Sequence, residues 1–421
     1  MSEPLILAAL VAAAIVLQVL LKTWLAQRQV RHVQANRGAV PPAFQSAVSL
    51  AAHQRAADYT VAKSRLGSLE LLYGTLVLIG WTFGGGLHAL NQILLAIMGP
   101  GLAQQLVLIG GFAAVSAVLD LPFSLYQTFV VEQRFGFNRM TLWLWLADAL
   151  KGALLSTLIG LPLAALVLWI MQAAGSGWWL WAWAVWTGFM LLMLVIYPVF
   201  IAPLFNKFEP LADEALKTRV TALMRRCGFS AQGFYVMDGS RRSAHANAYF
   251  TGFGAAKRVV FFDTLLAKLD AAEVDAVLAH ELGHFHHKHI AKRVVVMLAT
   301  SLAGFALLGW LAAQPWFYSG LGVQPALDGP NNALALLLFL LVVPVFTYFL
   351  APLMAASSRR HEFEADAYAA RHADGDALRS ALLKLYEDNA STLTPDPLFV
   401  RFYYSHPPAG ERLARLAAAP V

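Results

Sequence analysis

The chain has almost no cysteine and little charge. Its one cysteine, Cys227, excludes a disulfide within the chain and says little about redox compartment. Cys227 continues an apolar series with Leu216, Val220, Leu223 and Met224 at helical spacing, so a buried core thiol is expected rather than a catalytic one. Only 13% of residues are charged, against roughly 25% in soluble domains. Of the 421 residues 58% are hydrophobic, and the mean hydropathy is +0.58. A soluble globular protein is excluded, and a polytopic membrane protein is expected. The pI of 9.4 raises nucleic acid as a partner, but basic and aromatic residues do not interleave, and in membrane proteins surplus Lys and Arg marks cytoplasmic loops. No nucleic-acid partner is expected; membrane lipids are.

Seven apolar runs approach the ~20 residues needed to cross a bilayer. They cover approximately 4–26, 68–88, 102–127, 143–171, 178–200, 292–313 and 332–354. The first lacks a cleavage-site pattern and is too long for a signal-peptide core, so we expect it to be retained. Loops 89–101, 172–177 and 314–331 contain no Lys or Arg, whereas 27–67, 128–142, 201–291 and the tail after 355 are basic. Threading seven spans in order puts every basic loop on one side. The positive-inside rule then sets the N-terminus outside and both polar segments, 201–291 and 355–421, in the cytoplasm. Four parts follow: five spans in 1–200, a first polar segment 201–291, two spans in 292–354 and a second polar segment 355–421. Glu70, Asp120, Asp148 and Lys151 lie in or beside apolar runs, where ionisable groups face a bundle interior or a water-filled cavity. Asp148 and Lys151 are spaced to pair on one helix. Pro122, Pro162, Pro198, Pro203, Pro344 and Pro352 indicate kinks or span ends.

Within the first polar segment stands His280-Glu281-Leu282-Gly283-His284. Two imidazoles four apart on a helix share one face and can grip one Zn²⁺. A glutamate beside the first can take a proton from water at the metal. Asp270 and Glu273 form a capping-box pattern, and 271–290 has no proline and one glycine, Gly283, where a small residue is expected to let substrate or metal approach. His286, His287 and His289 follow in a His/Lys-rich stretch. They are expected at the interface or beside the ligands, with solvated surface the simpler reading, because a fourth protein ligand closes the position that catalysis needs. Upstream, 213–228 reads as an amphipathic helix, and Gly233–Met237, 247–250 and 258–263 read as strands. The last two form a hairpin turned by Gly252, Gly254 and Lys257. Its edge suits an extended peptide bound by strand addition.

The second polar segment carries Ser-Ser-Arg-Arg-His-Glu-Phe-Glu-Ala-Asp-Ala-Tyr. A carboxylate from a second helix completes a His₂Glu site, and spacing alone leaves Glu362 and Glu364 both open as that ligand. Asp366, one turn beyond Glu362, can fix the tautomer of a ligating histidine. His406 stands before Pro407 and Pro408 on a stiffened loop, with Arg412 six residues on; both suit stabilisation of an oxyanion.

These segments together resemble the type I CAAX prenyl proteases, membrane-integral zinc endopeptidases that process prenylated protein C-termini in eukaryotes. The resemblance is carried by S-R-R-S-A-H-A-N-A-Y-F-T-G-F at 240–253, H-E-L-G-H, S-R-R-H-E-F-E-A-D-A-Y at 358–368 and Y-S-H-P-P-x-x-E-R-L at 404–413. It implies one zinc held by His280, His284 and Glu362, with Glu281 as base and Asp366 supporting a ligand. Asn247, Ala248, Tyr249 and Phe250 then bind the substrate backbone, and His406 and Arg412 contact substrate or oxyanion. It also implies a large water-filled chamber among the spans. The expected architecture is mainly α: about seven transmembrane helices with a small α+β zinc-peptidase domain built from the two polar segments. The expected partner is a peptide or protein substrate, lipid-modified or not. The Arg- and Ala-rich composition points to a bacterial inner membrane. One alternative is an intramembrane protease of the site-2 type, whose motif lies within an apolar span; here Asp270, Glu273, Asp275 and Lys288 flank it. A metal-binding transporter or receptor is the non-enzymatic alternative; its site belongs near the bilayer midplane and needs no base.

Overall fold

The structure is a computed structural model, and it describes residues 1–229, 233–251, 258–326 and 330–418. The first half is a set of long helices: α1 (Glu3–Ala35), α2 (Leu50–Trp81), α3 (Gly86–Met98), α4 (Leu102–Tyr126), α5 (Leu142–Ala173) and α6 (Trp178–Ile196). Ser49 and Thr141 cap α2 and α5 by accepting the backbone N–H of Ala52 and Leu144. Helices α2 and α3 meet at a 45° bend, turned by Gly85 at φ 74°. Six described helical stretches are long and apolar enough to cross a membrane, or seven when the bent pair counts as one span. Pro198 and Pro203 sit where α6 gives way to π-helical and then 3-10 turns, while Pro122, Pro162 and Pro344 lie inside helices. The chain is a mainly α membrane protein, as its composition requires.

Next come β1 (Phe208–Pro210), α7 (Glu214–Arg226), β2 (Gly233–Met237), β3 (Ala248–Thr251), β4 (Arg258–Phe262), α8 (Asp263–Leu266) and α9 (Ala271–His286). The sheet order is β1-β2-β4-β3. β2 and β4 are parallel, and β3 pairs antiparallel with β4, Tyr249 opposite Val260. The expected strand pair is therefore present with β3 at the sheet edge. Gly252, Gly254 and Lys257, expected to turn it, lie outside the described residues. Sequence reasoning missed β1, a three-residue strand that exists only through its pairing with β2.

The remaining helices are α10 (His289–Leu311), α11 (Pro315–Ser319), α12 (Asn332–Thr347), α13 (Ala351–His372), α14 (Gly375–Asp388), α15 (Pro397–Tyr403) and α16 (Ala409–Ala418). Only a 3-10 turn, Tyr348–Leu350, separates α12 from α13, and Pro352 opens α13. The last span thus runs on into the helix bearing Glu362. One buried apolar core joins both polar segments: Val220, Leu223, Phe261 and Leu278 from the first, Tyr368, Leu378 and Leu416 from the second. Cys227 packs half-buried against it.

Candidate active site

Helix α9 begins with the full capping box. Asp270 accepts the N–H groups of Ala272 and Glu273, and the Glu273 carboxylate accepts that of Asp270. Glu273 also takes hydrogen bonds from Ser380 at 2.6 Å and Lys384 at 2.7 Å, which clamp α14 to α9. Gly283 sets the crossing with α13. A Cβ there would lie 2.9 Å from Ala365 Cα and 3.1 Å from its carbonyl oxygen. The glycine therefore admits a helix, not the substrate or metal expected from the sequence.

That close crossing brings Glu362 to the two histidines. Ligand atoms of His280, His284 and Glu362 lie within 4.8 Å of one another. Each Nε2 is 3.4 Å from a Glu362 oxygen. Glu364 points elsewhere: it accepts from His289 Nε2 at 2.9 Å and Arg360 Nε at 3.0 Å. Of the two glutamates that spacing left open, Glu362 is the one that faces the histidine pair. Glu362 is 3% exposed, and its Oε2 has no hydrogen-bond partner.

Both imidazoles are held at Nδ1. His280 Nδ1 is 2.8 Å from Asp366 Oδ1, and Asp366 is gripped in turn by Arg412, whose Nε and NH2 donate at 2.8 and 2.5 Å. Arg412 is 6% exposed; two of its donors serve Asp366, and the residue also lines the cavity described below. His284 Nδ1 is 2.9 Å from His289 Nδ1. Of the three trailing histidines, His286 is exposed and His287 half-buried. His289 is 1% exposed, so solvated surface does not describe it. No helical period signals this, because the chain breaks at Lys288, a left-handed residue with φ 56°.

The two imidazoles titrate apart. Burial disfavours the His280 cation, but the Asp366 and Glu362 carboxylates beside its two ring nitrogens outweigh it and hold the pKa up at about 9. Burial and the His280 charge push His284 down to about 3. Without a metal, one positive charge fits between these carboxylates, not two. Burial pushes the neighbouring Glu281 carboxyl up, with the nearby Glu362 adding to it and the His280 charge opposing. His406 reaches in from its Pro-Pro loop, Nε2 3.4 Å from Glu362 Oε1, with 64% of its side chain exposed.

The site opens into a cavity of about 1070 Å³ lined by Glu281, His406, Asn247 and Ala248 and by Lys22 and Glu70 of the membrane helices. Tyr249 and Phe250 turn their rings to Phe262 and Phe285 instead and do not line the cavity. Asp148 binds Arg242 bidentately at 2.8 and 3.1 Å, with Lys151 more distant at 3.8 Å. The pairing expected between Asp148 and Lys151 is thus secondary to one that ties α5 to the segment leading into β3.

The family model for the CAAX prenyl protease N-terminal region, five membrane helices, matches residues 29–207, and that for peptidase family M48 matches 210–419. The chain belongs to the M48 peptidase family. The CAAX prenyl protease 1 of Saccharomyces cerevisiae is 34% identical over 418 residues, 94% of this chain and 92% of that protein. The human CAAX prenyl protease 1 homologue is 33% identical over 445, with the same coverage. The crystal structure of S. mikatae Ste24p superposes with a TM-score of 0.91 at 31% identity, covering 99% of each chain. This M48 protein is an integral membrane metalloendopeptidase. Its relatives named here are eukaryotic and lend no support to a bacterial inner membrane.

Proposed function

We propose that this M48 protein is a zinc-dependent endopeptidase that cleaves membrane-associated or lipid-modified proteins within the cavity between its membrane helices. The observation that carries the reading is the convergence of His280, His284 and Glu362 ligand atoms beside Glu281, on the wall of a cavity that reaches membrane helices. Two imidazoles and one carboxylate suit zinc and leave one position open. The unpartnered, buried Glu362 Oε2 and two Nε2 atoms freed by bonds at Nδ1 fit one ion held between them. When bound, zinc supplies Lewis acidity, acidifying water and polarising a peptide carbonyl.

The chain's own groups do the rest. Glu281, its carboxyl pushed upward, takes a proton from the attacking water and delivers it to the leaving nitrogen. His406 donates to the oxyanion that forms. Arg412, with Asp366, holds His280 in the tautomer that leaves Nε2 unprotonated. The outer edge of β3 pairs with the substrate backbone, stretching it across the site, and Asn247 and Ala248 meet it at the cavity. The names of the relatives make prenylated C-termini one substrate class to test. We assign the N-terminus to the outer side and the site to the cytoplasmic side, because every basic loop falls on one face. We also assign 201–291 and 355–421 to one peptidase domain, for which their common core speaks.

The test is hydrolysis of a quenched peptide by the purified chain, with and without chelator. Loss on chelation and recovery with zinc are expected. Hydrolysis that persists after complete metal removal would overturn the reading.

A further inference from the structure

We propose that His289 and Glu364 are positioning residues for His284, forming a relay through the buried His289 ring that fixes which nitrogen of His284 faces the metal. The role rests on the zinc reading of the site. With Glu364 a carboxylate and His289 a neutral ring, the hydrogen bonds fix the remaining protons. Glu364, a carboxylate anchored by Arg360 at 3.0 Å, can only accept, so His289 Nε2 donates across 2.9 Å. A neutral His289 then presents a lone pair at Nδ1. Two ring nitrogens 2.9 Å apart need one proton between them, so His284 Nδ1 donates. Its Nε2, 3.4 Å from Glu362, is left with a lone pair directed at the metal position.

The fold is arranged to make this contact. On an unbroken helix, five residues at 100° each would turn His289 about 140° away from His284. The left-handed Lys288 ends α9 and starts α10 afresh, which brings the first residue of α10 back under His284. There His289 is sealed from solvent and stacked on His361 at 3.9 Å. The His284–His289 bond, with His289 out of water, is stronger than one at the surface. The two zinc ligands are thus held by unlike groups: His280 by an anion, Asp366, and His284 by a neutral ring. The relay also ties a ligand to the start of a membrane-crossing helix. Neither His289 nor Glu364 lines the substrate cavity.

The test measures zinc affinity of the intact purified protein by competition with a chromophoric chelator. H289F keeps the ring and its stacking but removes the acceptor; zinc binding should weaken about 10–100-fold. H289N sets an amide oxygen close to the Nδ1 position and should recover most of that loss, and E364A should show a smaller loss. At saturating zinc, KM for a peptide should stay at the parent value in all three. Parent-like zinc affinity in H289F overturns the relay, and so do equal losses in H289F and H289N, which mark packing alone. A parent protein that binds no zinc would instead sink the metal reading itself, a distinct outcome.

Discussion

The crossing of α9 and α13 differs in kind from the membrane wall of the cavity. At the crossing, polar groups are buried and mutually bonded: Asp366 to His280 and Arg412, His289 to His284 and Glu364. Along the wall, Lys22, Lys63 and Glu70 line the cavity and form no ion pair within 4 Å among the described residues. The first region is rigid where chemistry needs sub-ångström placement. The second holds its charges only loosely, Lys22 over the Tyr348 ring at 4.6 Å and Lys63 over the Tyr59 ring at 5.0 Å. A substitution at the crossing should therefore strike zinc binding or turnover, and one along the wall should alter substrate preference.

The largest expected effect is at Glu281. Glu281→Gln should lower kcat by about 10²–10⁴-fold, while metal analysis finds zinc retained. Asp366→Ala comes next: removing the support of His280 should weaken zinc binding about 10–100-fold, read by chelator competition. It also strands the buried Arg412, so a fall in Tm should accompany it. Gly283→Ala would push a methyl into the backbone of α13. A loss of about 1–3 kcal/mol in stability, with reduced zinc content, is expected; unchanged melting and zinc content would show that the two helices are not held at that distance.

Proton competition sharpens the same contrast. The His280 pKa is held up at about 9 without metal, so zinc must displace a proton at neutral pH. Apparent zinc affinity should rise about tenfold per pH unit up to that value and level off above it. Calorimetry in buffers of different ionisation enthalpy should register the released proton. The smallest effect is expected on the wall. Lys63→Met should leave zinc affinity unchanged and alter KM by no more than about threefold, in a direction that depends on peptide charge. A loss of zinc in this variant would break the distinction between the two regions.

What could be read from the sequence follows the range of the interactions involved. The capping box, the helix carrying His280 and His284 and the strand Gly233–Met237 rest on neighbours a few residues apart, and they stand as expected. Glu362 and Glu364 could not be separated by spacing, because the choice depends on which face of α13 meets α9. His289 escaped because a left-handed lysine leaves no compositional mark, unlike glycine. Gly283 was legible as a close approach, but not what approaches. Asp148 was legible as an ion-pair member, but its partner Arg242 is 94 positions away. Glu70 was legible as an ionisable group in an apolar run and does line the cavity, but the chamber as a whole came from the family resemblance, because which helices enclose it depends on contacts between distant segments.

The most direct test is zinc stoichiometry set beside turnover in three proteins: parent, Glu281→Gln and Glu362→Ala. One zinc per chain in the first two, peptide hydrolysis in the parent alone, and neither zinc nor hydrolysis in the third are the predicted results. Full zinc occupancy in Glu362→Ala, or hydrolysis by Glu281→Gln at the parent rate, would contradict the account.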